Sequence, residues 1–267
     1  MSLEIELKSE DNHSKVLIRD GQLCNYQFLE TEIMHQQGDP GWSNTEIEMF
    51  PIIGATKGNN FSVATPKKEA KLDQHGILRA MNYSLKNTAT PNSVSFYKAY
   101  TADTLVANPK FPEKSTLASL SWPYNFEFTK TFKLTNTSLR VTFEIHSEEG
   151  MPFMIGFHPA LKIYTSNPLF EFKDKKIPLT DVLETGSTAF PVQDCDDLTL
   201  SNNGKVNVNI KSPGFKHLML WSPSSNMACI EPITFYPASV SEKNLYKGFE
   251  YSSGHEIFET IISPSAS

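Results

Sequence analysis

Leu139-Arg140-Val141-Thr142-Phe143-Glu144-Ile145 alternates apolar and polar residues without a break. Successive side chains of an extended chain point to opposite faces, so this stretch reads as a strand with one face buried and one in water. Thr135-Asn136-Thr137-Ser138 precedes it as a polar loop, and Phe126 to Leu134 before that is a second strand candidate, so the two are expected to form a hairpin. Working outward, the same short strand-like runs recur. Leu3, Ile5 and Leu7 alternate, Lys15 to Ile18 and Gln22 to Leu29 flank an Asp20-Gly21 turn, and Ser93 to Tyr100 is extended. Leu198 to Leu200, Val206 to Ile210, His217 to Trp221, Met227 to Ile230 and Glu256 to Ile262 follow. No segment sustains a 3.6-residue apolar period, and 17 Pro and 13 Gly punctuate the chain throughout. The expected fold is all-β: two packed antiparallel sheets over residues 1–267 as one domain.

Composition narrows the function. A hydrophobic fraction of 39% with 18 Phe supplies a large core, which excludes a disordered chain. A net charge of −6 with no basic run offers no face for nucleic acid. Cys24, Cys195 and Cys229 are widely spaced, form no Cys-x-x-Cys pair and read as reduced thiols. Met1-Ser2-Leu3 runs directly into charged residues, and no apolar run approaches the length of a membrane helix. A cytoplasmic protein without a membrane partner is expected.

Three stretches carry candidate chemistry. In Gly156-Phe157-His158-Pro159 an imidazole stands where a proline, lacking an N–H, is expected to stop a strand. Histidine can give or take a proton near neutral pH. Cys229-Ile230-Glu231-Pro232 repeats the pattern with a carboxylate, and a Glu at the apolar end of a strand is costly to bury unless it is paired or has a task. His75 and Arg79 flank Gly76, so a turn there can bring an imidazole and a guanidinium to one opening. Trp42, beside the breaker-rich Gly38-Asp39-Pro40-Gly41, reads either as a loop anchor or as a stacking platform for a sugar ring.

His75-Gly76-x-x-Arg79, Gly156-Phe157-His158-Pro159 and Glu231-Pro232, in this order and with Phe50-Pro51-Ile52-Ile53-Gly54 ahead of them, resemble the aldose 1-epimerase (galactose mutarotase) family, in its shorter bacterial LacX-like branch. The resemblance implies a large galactose mutarotase-like β-sandwich (the supersandwich type) with a cleft for a free monosaccharide, the chain being a monomer or homodimer. It implies His158 as general acid, Glu231 as general base, and His75 with Arg79 as substrate contacts. No metal or other cofactor is expected. Two positions depart from the family pattern. Ala55 stands where an arginine often follows the glycine matched by Gly54, leaving Lys57 or Arg79 to substitute, and the family aspartate that holds sugar hydroxyls has no matching motif, Asp181 being the candidate. Two rival readings share the fold: a hexose-6-phosphate mutarotase, which needs two or more cations at the cleft, and a non-catalytic carbohydrate-binding module.

Overall fold

The structure is a computed structural model that describes residues 2–202 and 204–266. The alternating stretch at its centre is a strand, Leu139–Ser147, and every second residue from Leu139 to Ile145 is buried. It pairs with Phe126–Leu134 across the expected hairpin, with Leu134 opposite Leu139. Both lie inside a nine-stranded sheet in the order Lys175–Pro178, Leu169–Phe172, Asp197–Ser201, Val206–Lys211, His255–Ala266, Leu139–Ser147, Phe126–Leu134, Ser93–Tyr100, Ser84–Leu85. Every neighbour is antiparallel.

A smaller sheet runs Phe190–Val192, His217–Trp221, Met227–Ile233, Gly156–Phe157, Glu48–Met49, and Ala160–Lys162 also pairs with Met227–Ile233. The inner faces of the two sheets meet through aromatic rings: Phe143 of the larger sheet lies 5.0 Å from Phe157 of the smaller, centroid to centroid. Phe50 and Phe128 are 5.5 Å apart in the same layer. Each such fully buried ring contributes on the order of 1.5–3 kcal/mol. A four-stranded meander, Glu4–Lys8, Ser14–Arg19, Gln22–Phe28 and Thr31–Glu32, joins the smaller sheet through a bridge from Met34 to Leu161. No helix among the described residues is long and apolar enough to cross a membrane.

The core also holds charge. Lys130 is in phase with Phe128 and Phe132 and is wholly buried. Its ammonium lies 2.7 Å from Glu46 Oε1 and also binds Glu48. Lys98, on the adjacent strand, sits 3.6 Å from Glu48, donates to the Leu78 carbonyl at 2.9 Å and covers the Tyr83 ring at 3.8 Å. Two lysines of the larger sheet thus grip two glutamates of the segment that leads into the edge of the smaller one.

Candidate active site

His158 and Glu231 are brought together by strand register. Gly156 pairs with Ile233, and Ala160 pairs with Cys229 in the same register, which sets His158 directly opposite Glu231. The backbone bond from Thr234 N to Ile155 O fixes the phase, so the positions opposite one another at 157/232 and 159/230 are those whose N–H groups face the partner strand. Pro232 and Pro159 occupy one position in each pair and have no N–H to offer. Between them His158 and Glu231 form a non-hydrogen-bonded pair, the kind in which facing side chains approach most closely.

The expectation that prolines end both strands holds at Pro159 and fails at Pro232. Met227–Ile233 runs through Pro232, which pairs with Leu218 on its other side, whereas Gly156–Phe157 ends ahead of His158-Pro159 and a separate strand, Ala160–Lys162, resumes the same register. His158 is not at a sheet edge: its N–H and C=O bond Ile47 at 2.9 and 3.3 Å on the far side from Glu231. Pro232 interrupts the ladder without ending its strand, while at Pro159 the strand breaks and resumes in register, and both missing donors fall at one seam.

Alternation then decides what faces the cavity. Phe157 points inward to Phe143, so His158 points away from the larger sheet. Met219, Glu231, His158 and Ile47 form a row across neighbouring strands, and all four line a cavity of about 590 Å³. That volume is within the roughly 300–1,000 Å³ usual for small-molecule sites. The Nε2 of His158 is 3.3 Å from Glu231 Oε1. The contact has ion-pair distance without hydrogen-bond geometry, since Glu231 Oε1 and His158 Nδ1 are both buried with no hydrogen-bond partner.

His75 and Arg79 reach the same cavity from the other sheet connection. His75 and Gly76 both have φ of +72°, and a Cβ at Gly76 would lie 2.2 Å from the Phe50 carbonyl oxygen, so only glycine lets the chain press against Phe50 there. The His75 Nδ1–H donates to the Ile53 carbonyl at 2.9 Å, which leaves Nε2 as an acceptor. Its ring meets His158 edge-on at 5.9 Å. Arg79, in the 3₁₀ turn Leu78–Ala80, takes part in no ion pair or hydrogen bond among the described residues. Five N–H donors in a partly buried position are therefore left for something else.

Trp42 is part of the site. Its ring stacks over His158 at 4.4 Å with a 31° tilt, and Trp221 stands edge-on to His158 at 5.7 Å. The Trp42 loop is held from behind by buried His35, whose Nε2–H donates to the Trp42 carbonyl at 2.7 Å. The sequence left Trp42 open between anchor and platform, and it lines the cavity. Lys110, Tyr236 and Glu242 also line it and had no motif to announce them. Ala55 lines the wall, whereas Lys57, in the turn Lys57–Asn59, and Asp181, on the helix Leu179–Glu184, are not among the lining residues. Neither is brought to the site.

Burial governs the electrostatics. It pulls the His158 imidazolium down to about 3 and pushes the Glu231 carboxyl well above its ordinary value. His75 is held well below its ordinary value by burial first and by the neighbouring His158 and Arg79 charges next. Burial also lowers Arg79, which the Asp73 carboxylate opposes. Burial thus favours the uncharged form of both members of the pair.

A family model described as aldose 1-epimerase matches residues 53–236, more than half of the chain and a span that includes His75, Arg79, His158 and Glu231. No curated protein sequence matches at a significant level. Among solved structures, a galactose mutarotase related enzyme from Lactobacillus acidophilus superposes with a TM-score of 0.78 at 20% identity, covering 99% of this chain and 97% of that one. A galactose mutarotase-like protein from Lactobacillus casei gives 0.77 at 18% identity, covering 98% and 100%. A galactose 1-epimerase from Lactobacillus acidophilus gives 0.63 at 9% identity, covering 100% and 99%. These structures share the galactose mutarotase-like sandwich, and by its sequence the chain belongs to the aldose 1-epimerase family.

Proposed function

We propose that the protein is a cofactor-independent aldose 1-epimerase that interconverts the α and β anomers of a free aldose such as galactose or glucose. The observation that carries this reading is the His158–Glu231 pair: one imidazole and one carboxyl, 3.3 Å apart, both buried and both open to one cavity. Ring opening needs a proton taken from the C1 hydroxyl and another given to the ring oxygen. Glu231 as carboxylate takes the first and His158 as imidazolium gives the second. Rotation about C1–C2 follows, and closure on the other face returns both protons. The working form differs from the neutral pair only in which side of the gap the single proton occupies. Attraction between opposite charges at this separation is about 5 kcal/mol at an effective dielectric constant of 20, enough to offset much of the desolvation that favours the neutral form. The Trp42 face adds to this, because an indole ring attracts a cation stacked over it. His75 Nε2 accepts from a sugar hydroxyl and Arg79 donates to others.

A 6-phosphorylated aldose is the second reading, favoured by one observation: Arg79 and Lys110 both line the cavity, giving the two cations a phosphate requires. Lys110 is partly engaged with Asp73 at 3.2 Å, which places this reading second. Polarimetry of freshly dissolved α-galactose, α-glucose and their 6-phosphates separates the possibilities. Acceleration with the free sugars is expected. Acceleration confined to the phosphates makes the protein a sugar-phosphate mutarotase, and none with any of them makes it a binding module.

A further inference from the structure

On the face of the nine-stranded sheet turned away from the smaller one, three side chains converge that the reaction does not use. His146 and His255 are direct cross-strand partners on Leu139–Ser147 and His255–Ala266. Glu144 precedes His146 by two residues and so shares its face. The Nε2 atoms of both histidines approach one carboxylate oxygen, Glu144 Oε1, at 3.1 and 2.8 Å. The two rings are parallel within 2° and 4.3 Å apart, so both present the same edge to the same point. All three ligand atoms lie within 4.8 Å of one another. Ligands at about 2.1 Å from a tetrahedral ion are about 3.4 Å apart. The carboxylate-to-imidazole separations of 3.1 and 2.8 Å come within about 0.6 Å of that edge, so closing the site around an ion needs only side-chain adjustment.

We propose that Glu144, His146 and His255 form a surface site for a divalent first-row transition ion of the Zn²⁺ class, clamping two central strands of the larger sheet. Two imidazoles and one carboxylate suit such ions, whereas Ca²⁺ and Mg²⁺ require more oxygen ligands. The neighbouring acids are already engaged. Glu127, opposite His146 on the next strand, is 2.9 Å from Lys86, and Glu256 accepts from the N–H and hydroxyl of Ser253. The protein therefore supplies three ligands, and the remaining positions face solvent, since the three residues are between about a third and a half exposed. The two histidines lie on the opposite outer face of the sandwich from His158, so the ion acts on the sheet rather than on the sugar.

The test is calorimetric titration of tag-free, chelator-treated protein with ZnCl₂ near pH 7.5. One ion per chain is expected, with His146→Gln or His255→Gln each weakening binding by roughly tenfold or more, in line with the cost of disturbing a metal site. The double variant should lose the site. Bound Zn²⁺ should raise Tm in the native protein and not in the double variant. All the positions are solvent-facing, and circular dichroism will establish that the variants fold. No binding at about 1 mM Zn²⁺, or a stoichiometry and affinity unchanged in the folded double variant, overturns the proposal.

Discussion

His158 and Glu231 face each other across a seam with no backbone hydrogen bond, so their separation is set by register on either side. In the proposed mechanism the active form holds one proton between them, so activity should be lost on the acid side when a second proton binds and on the alkaline side when the only proton leaves. Because burial lowers His158 and raises Glu231, the pH profile of kcat/KM should be bell-shaped, with limbs that belong to the pair and not to either residue alone. His158→Asn and Glu231→Gln should each lower kcat by ~10²-fold or more and each lose one limb. The double variant should be little worse than either single one, since the pair acts as a unit. Polarimetric rates across pH check this, and a near-native rate in either variant removes that residue from the chemistry. Arg79→Ala should raise KM more than it lowers kcat, because a guanidinium that holds hydroxyls does so in ground and transition states alike. The reverse split would move Arg79 into the chemical step.

At the scale of elements, the site is an agreement between two strands and one tight turn. The turn is the more fragile. Gly76→Ala puts a Cβ against the Phe50 carbonyl and forces a side chain into the left-handed region, which alone costs about 1–3 kcal/mol. The variant should lose at least that much stability in urea unfolding and bind sugar more weakly, as His75 and Arg79 shift together. A Gly76→Ala protein with native KM would show that the turn positions neither residue. The sequence made the pieces of this arrangement legible and their geometry less so. Alternation marked Phe126 to Leu134 and Leu139 to Ile145, the second of which the structure extends to Ser147, and the glycine between His75 and Arg79 marked the turn. Reading Pro159 and Pro232 one strand at a time, however, makes each a stop signal. Only the pairing of the two strands shows that both missing donors fall at the same seam, and pairing is not a local property of either stretch. Lys110 and Tyr236 were hidden for a similar reason: loops distant in sequence bring them to the cavity, without a period or motif to say so.

Across the whole molecule, the two sheets are joined by rings and by ions, and the ions sit beside the site. Glu46 and Glu48 flank Ile47, whose backbone holds His158 from the side opposite Glu231. Their grip on Lys130 and Lys98 therefore fixes the segment that backs the active site against the larger sheet. The phase of Lys130 between two buried phenylalanines is readable in sequence, but its partners lie more than eighty residues away, so alternation alone would count it as an error in the pattern. Burial works to raise the Glu48 carboxyl, yet the Lys130 and Lys98 charges outweigh it and hold Glu48 down at about 2, whereas Glu46 is pushed up by its own burial. A carboxyl held below its unfolded value contributes stability above that value and loses it as pH falls toward the folded one. Lys130→Met removes the main cation and leaves both carboxylates buried, a loss of about 3–5 kcal/mol at neutral pH. That corresponds to a fall in Tm of roughly 6–20 °C for a chain of this size. In the variant Glu46 has lost its cation and Glu48 keeps only Lys98 against its burial, so the folded state takes up protons more readily than the native protein does and regains part of the lost stability as pH falls. The stability gap between native protein and Lys130→Met should therefore narrow as pH is lowered from about 7 toward 4, measured by urea unfolding at each pH. A gap that stays constant or widens with acid would mean that Lys130 holds the sheets together by packing and not by charge.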